Sequence, residues 1–272
     1  MTNKEKEMEL GHVPGTTIAA IVAVTVICFF IPILLATVGK VRFRGQIRAL
    51  LWGVLIFIIS AMLLEQMMHV FVLNITGGKI TDNIWIYGLY GATAAAVFEE
   101  TGRYLGFKFF NKKGMLNQSN GFMLGVGHGG AEAIFVVGLT YISNLFIAMS
   151  INSGILQEEL VKMDKELAQQ TFEQISPLWA SPSYIFCLAG IERIFAIALQ
   201  ISFAMLMYQA VKNAEQRILG MVFFFHFAVD FTVVIVSNYF GNIAAEIAVA
   251  ICTVAVVYVA YTENKKGKAL GK

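Results

Sequence analysis

Seven apolar segments, near residues 16–38, 49–73, 84–110, 120–149, 183–210, 217–237 and 242–262, decide what this chain can become. Each is long enough to cross a hydrocarbon core about 30 Å thick. Lipid offers the backbone no water to bond to, so only helices and closed barrels satisfy its amides there. Runs of this length and apolarity read as helices. The expectation is an all-α fold, a polytopic transmembrane helical bundle of about seven spans forming one transmembrane domain over 1–272. Composition agrees: 14% of residues are charged, where soluble domains carry about 25%. The net charge of +2 is concentrated in the loops flanking the spans. The expected surroundings are therefore a lipid bilayer, and no nucleic-acid partner is indicated.

Loop cations give an orientation. With the N-terminus outside, the inner loops and tail hold Lys40, Arg42, Arg44, Arg48, Lys108, Lys112, Lys113, Lys212, Arg217, Lys265, Lys266, Lys268 and Lys272. The outer segments hold Lys4, Lys6, Lys79, Lys162 and Lys165. That bias predicts an outside N-terminus and a cytoplasmic C-terminus, and an odd number of spans is what such a result requires. The first apolar run lacks a small-residue cleavage site and reads as a retained span. Cys28, Cys187 and Cys252 all fall inside spans, at spacings that suit neither a disulfide framework nor a zinc knuckle. The polar stretch 150–182 carries Leu156, Leu160, Met163 and Leu167 at helical spacing, with charges on the other faces. It is expected to be an amphipathic outer helix that caps the bundle, broken by Pro177 and Pro182 before the fifth span.

Against this background Ala96-Val97-Phe98-Glu99-Glu100-Thr101-Gly102-Arg103 is out of place. Ionisable groups at bilayer depth cost several kcal/mol unless paired or facing a wet cavity. Other spans carry His128 with Glu132 and His226 with Asp230, each pair spaced i, i+4 and so on one helix face. Counting about 1.5 Å per residue from the span ends puts all three groups in the inner to middle bilayer. Glu192-Arg193 on the fifth span lies near mid-depth and reads first as a structural ion pair. Glu65 and His69 sit higher and read as structural or entry-path residues. A carboxylate beside a histidine can hold and deprotonate water, and a second histidine with an acid partner can donate to a developing oxyanion. Arg103, one turn from the glutamates, offsets their mutual repulsion. Gly125, Gly127, Gly129 and Gly130 around His128 suit close helix packing.

The motifs EETGR (Glu99 to Arg103), GHGGAEA (Gly127 to Ala133), ERIFA (Glu192 to Ala196) and HFAVD (His226 to Asp230) resemble the YhfC family of bacterial intramembrane proteases. That family is related to the CAAX prenyl-protease and bacteriocin-processing group and to the PrsW proteases. The resemblance runs over about residues 45–262. It implies hydrolysis of a peptide bond in a membrane-embedded protein or peptide, in a bacterial cytoplasmic membrane. By analogy Glu99 is the general base and His128 helps to hold the water. His226 and Asp230 form the oxyanion-side pair, and Glu100 and Arg103 support the site. Glu132, Glu192 and Arg193 stand behind these. Two features depart from the prenyl-protease pattern: two residues instead of three separate Glu100 from Arg103, and Asp230 replaces an asparagine. A metal-dependent version would use Glu99, His128 and His226 as zinc ligands. No HExxH occurs, and the glutamic mechanism needs no ion, so no cofactor is expected. Two other classes stay open at this point. Intramembrane acids and histidines also serve proton-coupled transporters, although no inverted repeat is visible. A non-catalytic scaffold that binds other membrane helices is the third reading.

Overall fold

The computed structural model describes residues 9–270, and among them it is helical almost throughout, with no strand. In chain order the helices are α1 (Gly15–Val41), α2 (Ile47–Thr76), α3 (Ile84–Lys112), α4 (Gln118–Asn152), α5 (Ile155–Lys162), α6 (Lys165–Ile175), α7 (Pro177–Ala180), α8 (Ser183–Asn213), α9 (Gln216–Phe240) and α10 (Asn242–Leu270). Lys4, Lys6 and Lys272, used in the charge argument, lie outside the described residues. Six helices are long and apolar enough to span a membrane: α1, α2, α4, α8, α9 and α10. The seventh expected segment, 84–110, is also one continuous helix, α3. Its glycines, alanines and ionisable groups leave it less apolar than the rest. It nevertheless lies in the bundle, against α2, α8 and α9.

Helix α8 is the centre. It packs against α1, α3, α4, α9 and α10, and 67% of its most apolar stretch is buried, against 22–33% in the other five. The crossings around it depend on missing side chains. A Cβ on Gly53 of α2 would collide with the carbonyl of Leu124 on α4, and one on Gly127 of α4 with the carbonyl of Leu50 on α2. On the other face of α4, Gly129 leaves room for Gln200 of α8, whose Cβ would otherwise be 2.9 Å from an added methyl. The glycines around His128 are thus occupied by neighbouring helices, as close-packed membrane helices require.

Two helices depart from α geometry. Residues Ile58–Glu65 of α2 and Ala133–Gly138 of α4 are π-helical. Such wide turns hold extra residues and often flank functional sites. Both border the polar layer: the first ends at Glu65 and the second begins directly after Glu132.

The stretch expected to form one amphipathic helix is two, α5 and α6. Extended backbone at Met163 (ψ 157) separates them, so the apolar face restarts. Leu160 is buried in α5, and Ala168 and Ile175 in α6, whereas Leu167 is 52% exposed. Together with Leu178 these residues pack beneath α1 and α4 around Ile21, Tyr141 and Ala148. The chain before α1 is tied to the same layer. Val13 N donates to Asn152 Oδ1 (2.8 Å), Asn152 Nδ2 donates to Val13 O (3.0 Å), and Leu10 N donates to Gln157 Oε1 (2.9 Å).

Candidate active site

Helix α3 starts at an Asn83 cap, whose side chain accepts from the amides of Trp85 and Ile86. Its buried positions include Ala92, Ala96, Glu99, Glu100, Arg103, Gly106 and Phe107, one face at three- and four-residue spacing. Val97 and Leu105 point outward. The three charged groups are therefore on the face the helix turns into the bundle. There they meet polar groups from α4, α8 and α9.

Glu99 Oε2 is 2.8 Å from His128 Nε2 and accepts from Gln200 Nε2 at 3.2 Å. The same oxygen is 3.8 Å from Arg103 Nη2 and 4.0 Å from His226 Nε2. Glu100 Oε1 accepts from Arg103 Nη1 and lies 2.6 Å from His226 Nδ1. Arg103 is fully buried, and its Nη2 donates to Gln200 Oε1. Aromatic rings fix the remaining orientations. Phe57 meets the His128 ring edge-on at 5.4 Å, and Phe203 stacks on the His226 ring at 4.9 Å and 14°. Phe203 also carries the Arg103 guanidinium at 5.9 Å.

Glu99, Glu100, Arg103, His128 and His226 thus come together from three helices, as their depths suggest. The i, i+4 pairings fare differently. Glu132 does not bond His128. It accepts from Arg193 Nη1 (2.8 Å) and Gln200 Nε2 (2.8 Å), because the α4–α8 crossing at Gly129 brings a guanidinium across, and a charge-assisted bond outcompetes a neutral one. Arg193 also donates to Glu192 at 2.5 Å, so this pair is joined into a three-membered bridge. His226 Nε2 is 3.5 Å from Asp230 Oδ2. Its nearer partner is Glu100, through the opposite ring nitrogen. Glu65 and His69 are joined at 3.2 Å, and His69 Nδ1 reaches Tyr90 OH on α3 at 2.7 Å. They tie α2 to α3 apart from the central contacts.

A cavity of about 250 Å³ opens beside the cluster. Glu132, Glu192, Arg193, Gln200, His226 and Asp230 form its polar wall, and Phe203, Val229, Val233 and Val249 are among its apolar lining. Gln200, Phe57 and Phe203 are participants that motif reading misses. Gln200 is an isolated amide seven residues after Arg193, two turns along the same face of α8. That is the one signal in the sequence that could have found it.

Zinc is a chemically reasonable guest for glutamate and histidine donors. Among the described residues, however, no three His, Cys, Asp or Glu side chains are grouped to hold an ion. Glu99 and His128 stand 2.8 Å apart in direct contact, whereas two donors on one tetrahedral zinc stand about 3.3 Å apart. The donor types suit zinc, but as arranged Glu99 and His128 are bonded to each other and would have to part to hold the ion.

Comparison with known proteins places these features in context. The family model described as YhfC intramembrane metalloprotease matches residues 27–253, a range that contains every residue of the cluster. The chain is 35% identical over 243 residues to a Bacillus subtilis (strain 168) protein called "Uncharacterized membrane protein YhfC", covering 88% of this chain and 93% of that one. No solved structure matches.

Proposed function

The chain belongs to the YhfC intramembrane metalloprotease family, and from that premise we propose that it hydrolyses a peptide bond of a membrane-embedded protein or peptide, with Glu99 activating the water. One observation carries the choice of Glu99. A general base needs an oxygen that water can reach. The hydrogen bonds to Glu99 converge on Oε2, and Oε1 takes none of them. The Glu99 side chain keeps 9% of its surface open, whereas Glu100 Oε2 is sealed and without a partner. Glu100 is completely enclosed, and its other oxygen is taken by Arg103 and His226. Of the adjacent pair, Glu99 has the free oxygen and Glu100 has the structural bonds.

In this reading water held near Glu99 Oε1 gives it a proton while the water oxygen attacks the carbonyl carbon. His128 steadies Oε2, and Arg103 and Gln200 keep the carboxylate aligned. His226 donates through Nε2 to the oxyanion, with Glu100 holding Nδ1 and Asp230 beside Nε2. The proton on Glu99 then passes to the amide nitrogen as the C–N bond breaks. The cavity between α8 and α9 is where the peptide would lie, with its polar wall towards the scissile bond. Glu132, Glu192 and Arg193 support that wall.

The test is purification of the full chain in detergent, metal analysis, and a cleavage screen against synthetic transmembrane peptides. Cleavage by a metal-free preparation, lost in Glu99→Gln, is the expected result. Stoichiometric zinc needed for cleavage would replace free-glutamate chemistry with a metal-dependent one on Glu99, His128 and His226. Proton-coupled flux in liposomes without any cleavage would assign the cluster to transport instead.

A further inference from the structure

Gln200 bonds Arg103, Glu99 and Glu132 at once, and no motif accounts for it. We propose that Gln200 is a positioning residue for hydrolysis: its side-chain amide pins Oε2 of Glu99 and so leaves Oε1 directed at water. This rests on the role given to Glu99 above.

The orientation of the amide is dictated by its neighbours. Arg103 has only donors, so the Gln200 oxygen must face it, as Nη2 donating to Oε1 shows. Ionised carboxylates only accept, so the nitrogen must face Glu99 and Glu132, at 3.2 and 2.8 Å. Both amide hydrogens and the oxygen are thereby used in one geometry. Few side chains could substitute. Methionine has nearly the same shape but no donor. An ionised glutamate would turn like charge towards two carboxylates. The residue is 5% exposed, so water cannot replace the lost bonds cheaply. Gln200 also lines the cavity, on the wall that carries His226 and Asp230, while its amide reaches Glu99 behind that wall. Its bonds join the Arg103–Glu100 pair of α3 to the Glu132–Arg193 pair of α4 and α8. A shift in one carboxylate is therefore resisted by the others.

The experiment compares wild type, Gln200→Met and Gln200→Glu in the full chain, reconstituted in liposomes with a transmembrane peptide that wild type cleaves. A displacement of about 1 Å in a catalytic group typically costs about 10²-fold in rate. Gln200→Met should therefore lose about 10²-fold in kcat with KM within about twofold, the pattern of an interaction needed only in the transition state. Gln200→Glu covers the case in which the methionine variant fails to fold. As a neutral acid it keeps the acceptor for Arg103 and regains one of the two donors, so its kcat relative to wild type should recover in part as pH falls. The groups that set this dependence are Glu99, Glu100 and Arg103 on α3, His128 and Glu132 on α4, Arg193 on α8, and His226 and Asp230 on α9. Wild-type kcat in Gln200→Met, or a Gln200→Glu profile parallel to wild type, overturns the positioning role while peptide hydrolysis stands. Absence of cleavage by wild type overturns both, and is seen before any variant is made.

Discussion

Glu99 and Glu100 are neighbours with the same chemistry and unlike surroundings, and that difference is measurable. Glu99→Gln keeps the shape and should abolish cleavage with little loss of fold. Glu100→Gln weakens the bonds to Arg103 and His226 in a sealed site, so it should lower thermal stability as well as rate. Measuring activity and melting temperature on both variants separates them. Full activity in Glu99→Gln with loss in Glu100→Gln would move the base by one residue. His226→Ala removes the proposed oxyanion donor and should cost about 10²–10³ in kcat, read from the same cleavage assay. The motif residues were legible because charge inside an apolar span is rare and demands a reason. Their partners were less so. Spacing on one helix suggested His128 with Glu132, but tertiary crossings decided instead for His128 with Glu99 and Glu132 with Arg193. Gln200 was invisible to a search for ionisable groups, since its amide carries no charge.

Among the helices, lengths and positions followed from hydropathy, and most boundaries moved by only a few residues. What hydropathy could not supply was the local winding. The π-helical turns at Ile58–Glu65 and Ala133–Gly138 are built mostly from apolar residues common in any helix, so hydropathy did not mark them. The break at Met163 was hidden for a related reason, because the leucine spacing ran on across it. The tight crossing of α2 and α4 gives a sharper expectation. Gly127→Leu would drive a side chain into the backbone of Leu50, where no rotamer change relieves the clash. The loss should reach about 3 kcal/mol, the upper end of the usual overpacking range. Gly220, with nothing within 4 Å of an added Cβ, is the control. Thermal melts of Gly127→Leu and Gly220→Ala in detergent check the contrast.

For the molecule as a whole, the membrane assignment rests on six apolar helices and a membrane-protein relative, and orientation rests on loop cations alone. We expect Lys265 and the residues after it to face the cytoplasm. A C-terminal reporter fusion active only on the outer side would reverse that. Stability should depend strongly on the bridge between α4 and α8. Arg193 is 7% exposed, and Arg193→Met would leave the mostly buried Glu132 with only its bond from Gln200, so the loss should approach the lower end of the range of about 3–5 kcal/mol seen when a buried pair loses one partner. Denaturant-resistance assays on the reconstituted protein measure it. The order in which these charges are made adds a consequence for biogenesis. Helix α3 carries Arg103 within one turn of its own glutamates, so a growing chain can hand it to the insertion machinery already part-neutralised. Glu132 has no such companion on α4 and must wait until Arg193 has been synthesised, some sixty residues later. Between those moments the nascent protein holds an acid at bilayer depth without its ionic partner, at a cost of several kcal/mol, so the assembly of α8 onto α4 is what relieves it.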